Sequence, residues 1–312
     1  MIKTTSITAA GINPGAIKTN PHDLPCLLRV NILRLAELTP NYLSIMKSSF
    51  VLSLLFMPLF AMAAPDHVVV VIEENRGYSQ IMDKGNNDSY IHQLAQRGML
   101  FTQSYGVTHP SQPNYLALFS GTTQGVTSNT CPLMLTGDNL ATALINHGLS
   151  FASYAESLPS TGDTVCISGP YQRKHNPLSN WLQLAPGNLS FDDFPKEYST
   201  LPTVSFVIPD QNNDMHDGSF SDADEWLKLH IQPYVEWAFK HNSLLILTWD
   251  EGDAVENNRI VTLLIGPMVK TGTSAQPINH YNVLRTLLDL YRLPAMNASL
   301  NAEPIRHIWK KN

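Results

Sequence analysis

Runs of apolar residues that end in polar, acid-rich segments recur along the chain. Residues 67–75, HVVVVIEEN, hold five consecutive β-branched residues, the pattern of a strand buried on both faces of a parallel sheet. Similar apolar runs predict further strands at 99–105, 150–155, 203–210, 243–253 and 259–267.

Helical patterns alternate with these strands. They predict helices at 90–97, closed by Gly98, at 137–147, at 222–241, where Pro233 should kink or split the helix, and from His280 onward. The order strand, helix, strand, helix is typical of a layered α/β fold.

The amino-terminal segment differs from the rest. Residues 1–45 show no clear period, whereas MKSSFVLSLLFMPLFAMAAP, from Met46, combines a lysine, a short apolar run and small residues. This is the pattern of a secretory signal peptide at 46–63, and its apolar run is shorter than the ~20 residues of a membrane span. We expect an exported protein, periplasmic or extracellular, whose mature single domain is 64–312. Residues 1–45 are then an upstream extension or, alternatively, an amphipathic leader.

The mature region is acidic. Residues 64–312 hold 15 Lys and Arg against 24 Asp and Glu, a net charge of −9. Such a region lacks the basic surface that nucleic-acid binding requires, so we expect no nucleic-acid partner. A cation site built from several carboxylates would also give the mature region an excess of negative charge.

Residues 122–200 form an irregular excursion that contains both cysteines of the mature region, Cys131 and Cys166. In an exported protein an even pair favours a disulfide, with two free buried thiols as the alternative. We expect the excursion to fold over one end of the sheet and to shape access to a site. Its basic stretch, RKH at 173–175, could meet an anionic substrate, but an exposed turn is the preferred interpretation.

A hydroxyl group stands before a predicted helix in THPSQPNYLALFSG, residues 108–121. Pro113 fits the first turn of a helix, which places Ser111 at or just before the helix start. Free backbone N–H groups and the helix dipole favour an anion there, so Ser111 is a candidate nucleophile for phosphoryl transfer. The alternative is that Ser111 is an N-cap.

Ligand-type side chains follow the other predicted strands. They are Glu74 with Asn75, Asp210 with Asp214 and His216, and Asp250 with Glu251. Because ligands bind beyond the carboxyl ends of parallel strands, we expect these residues to cluster with Ser111 rather than to form separate solvated turns. His280, at the start of the last helix, is either a part of this site or a structural residue.

Taken in order, these segments resemble a known family. The order is Glu-Asn, His-Pro-Ser-x-Pro-Asn-Tyr, Pro-Asp-x-x-x-Asp-Met-His-Asp, Thr-Trp-Asp-Glu and Asn-His-Tyr, over about residues 66–295. It is similar to the bacterial phosphoesterase family of secreted acid phosphatases, phosphatidylinositol phosphatases and phospholipases C, within the alkaline phosphatase superfamily. The resemblance implies an α/β fold, a three-layer sandwich with a mostly parallel central sheet, and a metal-dependent mechanism with a covalent phospho-enzyme.

The resemblance also implies roles for single residues. Ser111 matches the nucleophile and Asn114 a phosphate-contacting side chain, while His109 is a further candidate for substrate contact or proton donation. Glu74 with Asn75 and Asp250 with Glu251 match the ligands of the first metal site. Asp210, His216 and His280 match a second pole that is a metal site in some superfamily members. Asp214 is a further candidate metal ligand because carboxylates crowded in one loop repel unless a cation offsets them.

Two departures separate this chain from two-metal enzymes. Glu251 stands where those enzymes usually place histidine, and the spacing from Asp210 to His216 is longer than theirs. His216 and His280 are therefore expected to bind phosphate or to act as the general acid if no second metal binds. Oxygen ligands favour Mg, Ca or Mn, and the histidines keep Zn as an alternative.

The expected protein is an exported acid phosphatase that needs at least one divalent metal ion and hydrolyses phosphomonoesters. Its partner is a small phosphorylated substrate or a phospholipid headgroup. Two alternatives stay open: a phosphodiesterase of the phospholipase C kind, and a non-catalytic phosphate- or metal-binding protein. An imidazole with an ordinary pKa near ~6.5 would suit proton donation in mildly acidic conditions.

Overall fold

The computed structural model describes residues 63–253 and 255–311. The predicted extension at 1–45 and all but the last residue of the predicted signal peptide at 46–63 lie outside the described residues. None of the helices in the described part is both long and apolar enough to cross a lipid bilayer.

A large sheet forms the centre of the fold. Its strands are β1 (His67–Glu73), β2 (Met99–Tyr105), β3 (Phe151–Ala155), β6 (Asn188–Ser190), β7 (Val204–Ile208), β8 (Ser243–Trp249), β9 (Arg259–Ile265), β10 (Gly272–Ser274) and β11 (Ile278–Asn279). Two short strands, β4 (Ile167–Ser168) and β5 (Tyr171–Gln172), form a separate antiparallel pair.

The strand order is β10-β2-β9-β8-β1-β7-β3-β6, with β11 beside β2. Among the described strands of this sheet, β9 alone runs antiparallel to its neighbours β2 and β8, and the other pairs are parallel. The carboxyl ends of β1, β2, β7 and β8 therefore meet at one edge. Because β9 starts at that edge, the connection between β8 and β9 stays there as well.

Helices cover both faces of the sheet. They are α1 (Tyr78–Ile81), α2 (Tyr90–Arg97), α3 (Ser111–Ser120), α4 (Leu140–Asn146), α5 (Phe220–His230), α6 (Gln232–Ala238) and α7 (His280–Leu290). Alternate residues of β1 point to opposite faces, so Val70 joins one apolar core with α3, α4 and α7, and Val71 joins a second core with α2, α5 and α6. The predicted three-layer sandwich with a mostly parallel sheet is confirmed.

The local predictions agree closely with the structure. Helix α2 and strand β2 have the predicted bounds, and the predicted helix at 222–241 is split into α5 and α6, with Pro233 in the first turn of α6. Proline suits that position because its missing N–H would have no partner within the helix.

The excursion at 122–200 is tied together at several points. The Cys131–Cys166 disulfide is present, as predicted. The guanidinium of Arg173 donates to the carbonyl oxygens of Leu133, Thr164 and Ser179, so it joins three parts of the excursion.

The predicted exposed basic turn at 173–175 is wrong. Arg173 is 2% exposed and His175 is 1% exposed. The physical reason is that backbone carbonyl oxygens accept hydrogen bonds from the Arg173 guanidinium, and buried carboxylates form ion pairs with the His175 imidazole. Composition alone does not show that such partners lie nearby.

Replacing both cysteines of the disulfide, Cys131→Ser with Cys166→Ser, should lower the free energy of unfolding by about 3–4 kcal/mol, because the unfolded chain regains the entropy of the open loop. Urea unfolding monitored by circular dichroism measures this difference. Met134→Ser, an exposed change in the same loop, is the control and should shift stability by no more than about 0.5 kcal/mol. A loss of less than about 1 kcal/mol in the double variant would contradict the expectation.

Candidate active site

Ser111 is the first residue of α3 and lies between two carboxylates. Its Oγ is 3.1 Å from Glu74 Oε2 and 3.1 Å from Glu251 Oε1, and the side chain is buried. The N-cap of α3 is Pro110, which offers no side-chain cap. The N-cap interpretation of Ser111 is therefore wrong, because the hydroxyl faces carboxylates instead of capping the helix backbone.

The carboxylates come from the ends of two adjacent strands. Glu74 directly follows β1, and Asp250 and Glu251 directly follow β8. The Asp250 N–H donates to the Glu73 carbonyl oxygen at 3.0 Å, and the Asn75 N–H donates to Asp250 Oδ1 at 3.2 Å. These bonds extend the pairing of the strands and hold three buried carboxylates together at one edge of the sheet.

The like charges in this cluster oppose one another. Burial, together with the negative charges of Glu74 and Glu251, raises the pKa of Asp250 well above its usual range. Burial also raises the pKa of Glu251, and Glu74 adds to this while His109 opposes it. Positive charge and hydrogen-bond donors placed nearby stabilise such a cluster in its charged form.

His175 supplies positive charge from the excursion. Its Nε2 lies 3.0 Å from Glu74 Oε1 and its Nδ1 lies 3.2 Å from Asp214 Oδ2, and its ring stacks on Tyr115. Burial works against the charged imidazole, but Glu74 and Asp214 outweigh it and raise the pKa of His175 to about 9. Burial likewise opposes the Glu74 carboxylate, yet His175 lowers the pKa of Glu74 to about 2.

The sequence indicated at most that the basic stretch at 173–175 could meet an anionic substrate, and it did not predict His175 as a buried residue of the site. Neither a motif nor a strand end marks this residue, since it lies in a short turn of the excursion at Arg173–His175. The expectation that the excursion only shapes access is wrong, because it contributes a buried imidazole to the centre of the site.

The loop after β7 brings Asp214 and His216 to the same place. The Glu74 N–H donates to the Asp214 carbonyl oxygen at 2.8 Å, and the His216 N–H donates to Asp214 Oδ1 at 2.7 Å. The His216 ring lies at the rim, where Nε2 is 3.1 Å from Lys174 Nζ. His216 is therefore next to His175 and accessible from solvent.

The Asp210 carboxylate bonds to Ser157 and to the backbone of its own loop. Its Oδ2 accepts from Ser157 Oγ at 2.7 Å and its Oδ1 accepts from the Asn212 N–H at 3.0 Å. These bonds brace the loop, and the role of Asp210 as a metal ligand stays a prediction.

His280 and Asn114 hold backbone segments of the site in place. His280 Nε2 donates to the Asp250 carbonyl oxygen at 2.6 Å, and burial lowers the pKa of His280 to about 4. Asn114 Oδ1 accepts from the N–H groups of Val107 and Thr108, and its Nδ2 donates to the Thr108 carbonyl oxygen. Both side chains thus shape the loops that carry the candidate catalytic groups.

His109 reaches the cluster from the loop before α3. Its Nδ1 contacts Glu251 Oε2, and the side chain is 47% exposed. His109 is therefore both in contact with Glu251 and accessible from solvent, two residues before Ser111 in the chain.

Several buried atoms of the site fit a bound cation. Among the described residues, Asp250 Oδ2 has no hydrogen-bond partner, and Glu74 Oε1 and Asp214 Oδ2 make ion pairs with the His175 imidazole instead of hydrogen bonds. Ligand atoms of Glu74, His175 and His216 all lie within 4.8 Å of one another. Carboxylate oxygens and imidazole nitrogens at this spacing form a donor set that suits a divalent metal, which would have to displace the proton of His175, because only a neutral imidazole ligates a metal.

Comparison with known proteins agrees with this geometry. Residues 82–294 match the Phosphoesterase family, so the chain belongs to that family. The phosphatidylinositol-3-phosphatase of Mycobacterium tuberculosis is 47% identical over 259 residues, which are 81% of this chain and 84% of that enzyme. A probable acid phosphatase of Kluyveromyces lactis is 30% identical over 256 residues, 74% of this chain and 59% of that enzyme.

The phosphate-repressible acid phosphatase of Penicillium chrysogenum is 29% identical over 231 residues, 67% of this chain and 56% of that enzyme. The chain thus spans somewhat more than half of each fungal relative. These relatives are named as phosphatases, and the chain is a phosphoric ester hydrolase.

Solved structures show the same fold. A protein of the alkaline phosphatase superfamily from Vibrio parahaemolyticus superposes with a TM-score of 0.52 at 12% identity, covering 79% of this chain and 72% of that one. The phosphonate monoester hydrolase of Silicibacter pomeroyi gives 0.54 at 11% identity, covering 77% and 76%. At these identities the likeness concerns the fold alone.

The contacts of His175 predict a pH-dependent stability in chelator-treated protein. Its folded pKa of about 9 lies above the ordinary 6.5, so its contribution is complete below 6.5 and is lost as the pH rises through about 9. We therefore expect the melting temperature of the metal-free protein to fall over that range, measured by calorimetry. His175→Gln should remove this component, and equal pH profiles for both proteins would contradict the expectation.

Proposed function

We propose that the chain is an exported, metal-dependent acid phosphatase that hydrolyses phosphomonoesters through a phosphoserine at Ser111. One observation carries the proposal: a buried serine hydroxyl at the start of a helix is held between Glu74 and Glu251. A hydroxyl that only stabilised the fold would not need two buried carboxylates as partners.

The chain's own residues define the two chemical steps. Ser111 Oγ attacks phosphorus, so that an Oγ–P bond forms while the bond from phosphorus to the leaving oxygen breaks. The leaving oxygen takes a proton, and water then cleaves the Oγ–P bond to release phosphate. Glu74 and Glu251 orient the hydroxyl, and one of these carboxylates takes its proton as the Oγ–P bond forms. When water cleaves the Oγ–P bond, that proton returns to Ser111 Oγ, and the imidazole that protonated the leaving oxygen takes a proton from the attacking water.

Proton donation falls to an imidazole at the rim. His109 and His216 are both reachable from solvent, which a group that protonates a leaving oxygen must be. His280 suits this role less well, since it is buried, faces the Asp250 carbonyl oxygen and is kept neutral by its lowered pKa.

The residues that would hold a divalent cation are Glu74, Asp250 and Glu251, with Asn75 beside them. Glu74, His175 and His216 form a second set that shares Glu74. When bound, the cation supplies positive charge that offsets the substrate's phosphate and favours the serine alkoxide. The oxygen donors favour Mg, Ca or Mn, and the imidazoles of the second set favour Zn.

The substrate that we propose is a phosphomonoester with a polar leaving group, including the headgroup of a phosphoinositide. The similarity to a phosphatidylinositol-3-phosphatase over most of both chains supports this substrate class. A phospholipase C-like diesterase and a non-catalytic binding protein are the alternatives, and the assay below separates them.

Ser111→Ala should lower kcat for p-nitrophenyl phosphate by about 1,000-fold or more, since the variant cannot form the covalent intermediate. Initial rates are measured from about pH 5 to 8, with and without chelator, because this range spans the titration of an ordinary histidine. Chelator should abolish the activity of the unaltered enzyme, and added divalent metal should restore it.

Ser120→Ala is the matched control, because Ser120 is also a buried serine of α3 but bonds only to backbone and Gln124 among the described residues. It should retain most of the activity. Short-chain phosphatidylinositol 3-phosphate and bis-p-nitrophenyl phosphate are assayed in parallel. Preference for the diester would favour the diesterase, and metal binding without turnover of any ester would favour the binding protein.

The signal-peptide pattern at 46–63 supports export of the protein. We expect the protein recovered from the periplasm or medium of an expressing bacterium to begin at Ala64. Mass spectrometry of the intact protein measures this amino terminus. Recovery of the uncleaved chain in the cytoplasm alone would contradict export.

A further inference from the structure

The loop between β8 and β9 contains a side chain that joins two segments of the site. Asn258 Oδ1 accepts from the Gly252 N–H at 2.7 Å, and Asn258 Nδ2 donates to the Thr108 carbonyl oxygen at 2.9 Å. Gly252 directly follows Glu251, and Thr108 directly precedes His109. The Asn258 amide therefore bonds both to the segment before Ser111 and to the segment that follows Glu251. These two segments also contact each other directly, because Glu251 contacts His109 and Ser111.

The backbone of Asn258 reinforces this connection. Its carbonyl oxygen accepts from the Gly106 N–H at 2.8 Å, and its N–H donates to the Asp253 carbonyl oxygen at 3.2 Å. A Cβ at Gly106 would come within 2.6 Å of the Asn258 side chain, so the two loops are in close contact here.

The backbone conformation of Asn258 is energetically unfavourable, and the hydrogen bonds of its side chain compensate for this. Its φ is 61°, in the left-handed region that residues other than glycine seldom adopt. Asparagine tolerates that region better than most residues, and strained positions of this kind concentrate at functional sites. Glycine would adopt the same backbone without strain, but it could not bond to Gly252 or Thr108.

We propose that Asn258 is a positioning residue that sets the separation of Ser111 from Glu251. It does not contact the reacting groups, and it acts by holding the Thr108–His109 segment against the Glu251–Gly252 segment. The consequence for catalysis rests on the proposed function, whereas the coupling of the two loops rests on these contacts alone.

The chain offers a matched pair of variants. Asn257 has nearly the same backbone, with φ at 55°, but it is exposed and its side chain makes no hydrogen bond within the described residues. Asn258→Gly and Asn257→Gly therefore relieve a similar strain, and only the first removes the two loop contacts. Asn258→Asp keeps an acceptor for the Gly252 N–H and loses the donor to the Thr108 carbonyl oxygen.

The kinetic test compares kcat and KM for p-nitrophenyl phosphate. A displacement of about 1 Å in the site can cost about 100-fold in rate, so Asn258→Gly should lower kcat by about 10- to 100-fold. KM should change by less than about threefold, because binding of the substrate's phosphate does not require Ser111 Oγ to be oriented for attack on phosphorus. Asn258→Asp should lie between, and Asn257→Gly should stay within about twofold of the unaltered enzyme.

The second readout is amide hydrogen exchange, which needs no activity. Asn258→Gly should speed exchange at Gly252 and also at residues 106–108, across the contact, whereas Asn257→Gly should speed neither. Faster exchange at Gly252 with unchanged exchange at 106–108 would overturn the coupling of the two loops.

The kinetic test has its own contrary outcomes. A kcat of Asn258→Gly within twofold of the unaltered enzyme would overturn the catalytic role of Asn258. An unaltered enzyme without any esterase activity would instead contradict the proposed function.

Discussion

Mutual repulsion between buried carboxylates is the constraint on which this site depends. Glu74, Asp214, Asp250 and Glu251 are brought together with little water around them, and each ionised group raises the cost of ionising the next. His175 offsets part of this charge from inside the protein. A cation would act at the carboxylate oxygens that His175 does not contact, such as Asp250 Oδ2. The repulsion that lowers stability therefore also favours binding of a metal and a phosphate.

The sheet explains why these groups can be so close. Parallel neighbours β1 and β8 end side by side, and the backbone bonds between Glu73, Asn75 and Asp250 continue their pairing past the last regular residue. Because β9 runs antiparallel to β8, the connection between them stays at that edge. The sheet edge supplies the acids, the first residue of α3 supplies the hydroxyl, and loops supply His109, His175 and His216.

The sequence predicted the parts of the molecule that have a local signature. The consecutive β-branched residues of β1, the acids after strands β1 and β8, and Ser111 at a helix start are all visible as patterns within about ten residues. His175 and Asn258 have no such signature, because their importance comes from partners far away in sequence, such as Glu74 and Thr108. Likewise, the buried state of Arg173 depends on three carbonyl groups that only the folded excursion brings together.

The pairing of β1 has a consequence for synthesis of the chain. Its two partner strands, β7 and β8, begin at Val204 and Ser243, so the five β-branched residues of β1 stay without a partner until most of the protein exists. Pairing over such sequence distances is slow, and an unpaired apolar strand invites association between chains. A nascent chain that ends before Val204 therefore presents an aggregation-prone segment at its amino end. Shielding of residues 68–72 during synthesis would therefore reduce association between incomplete chains.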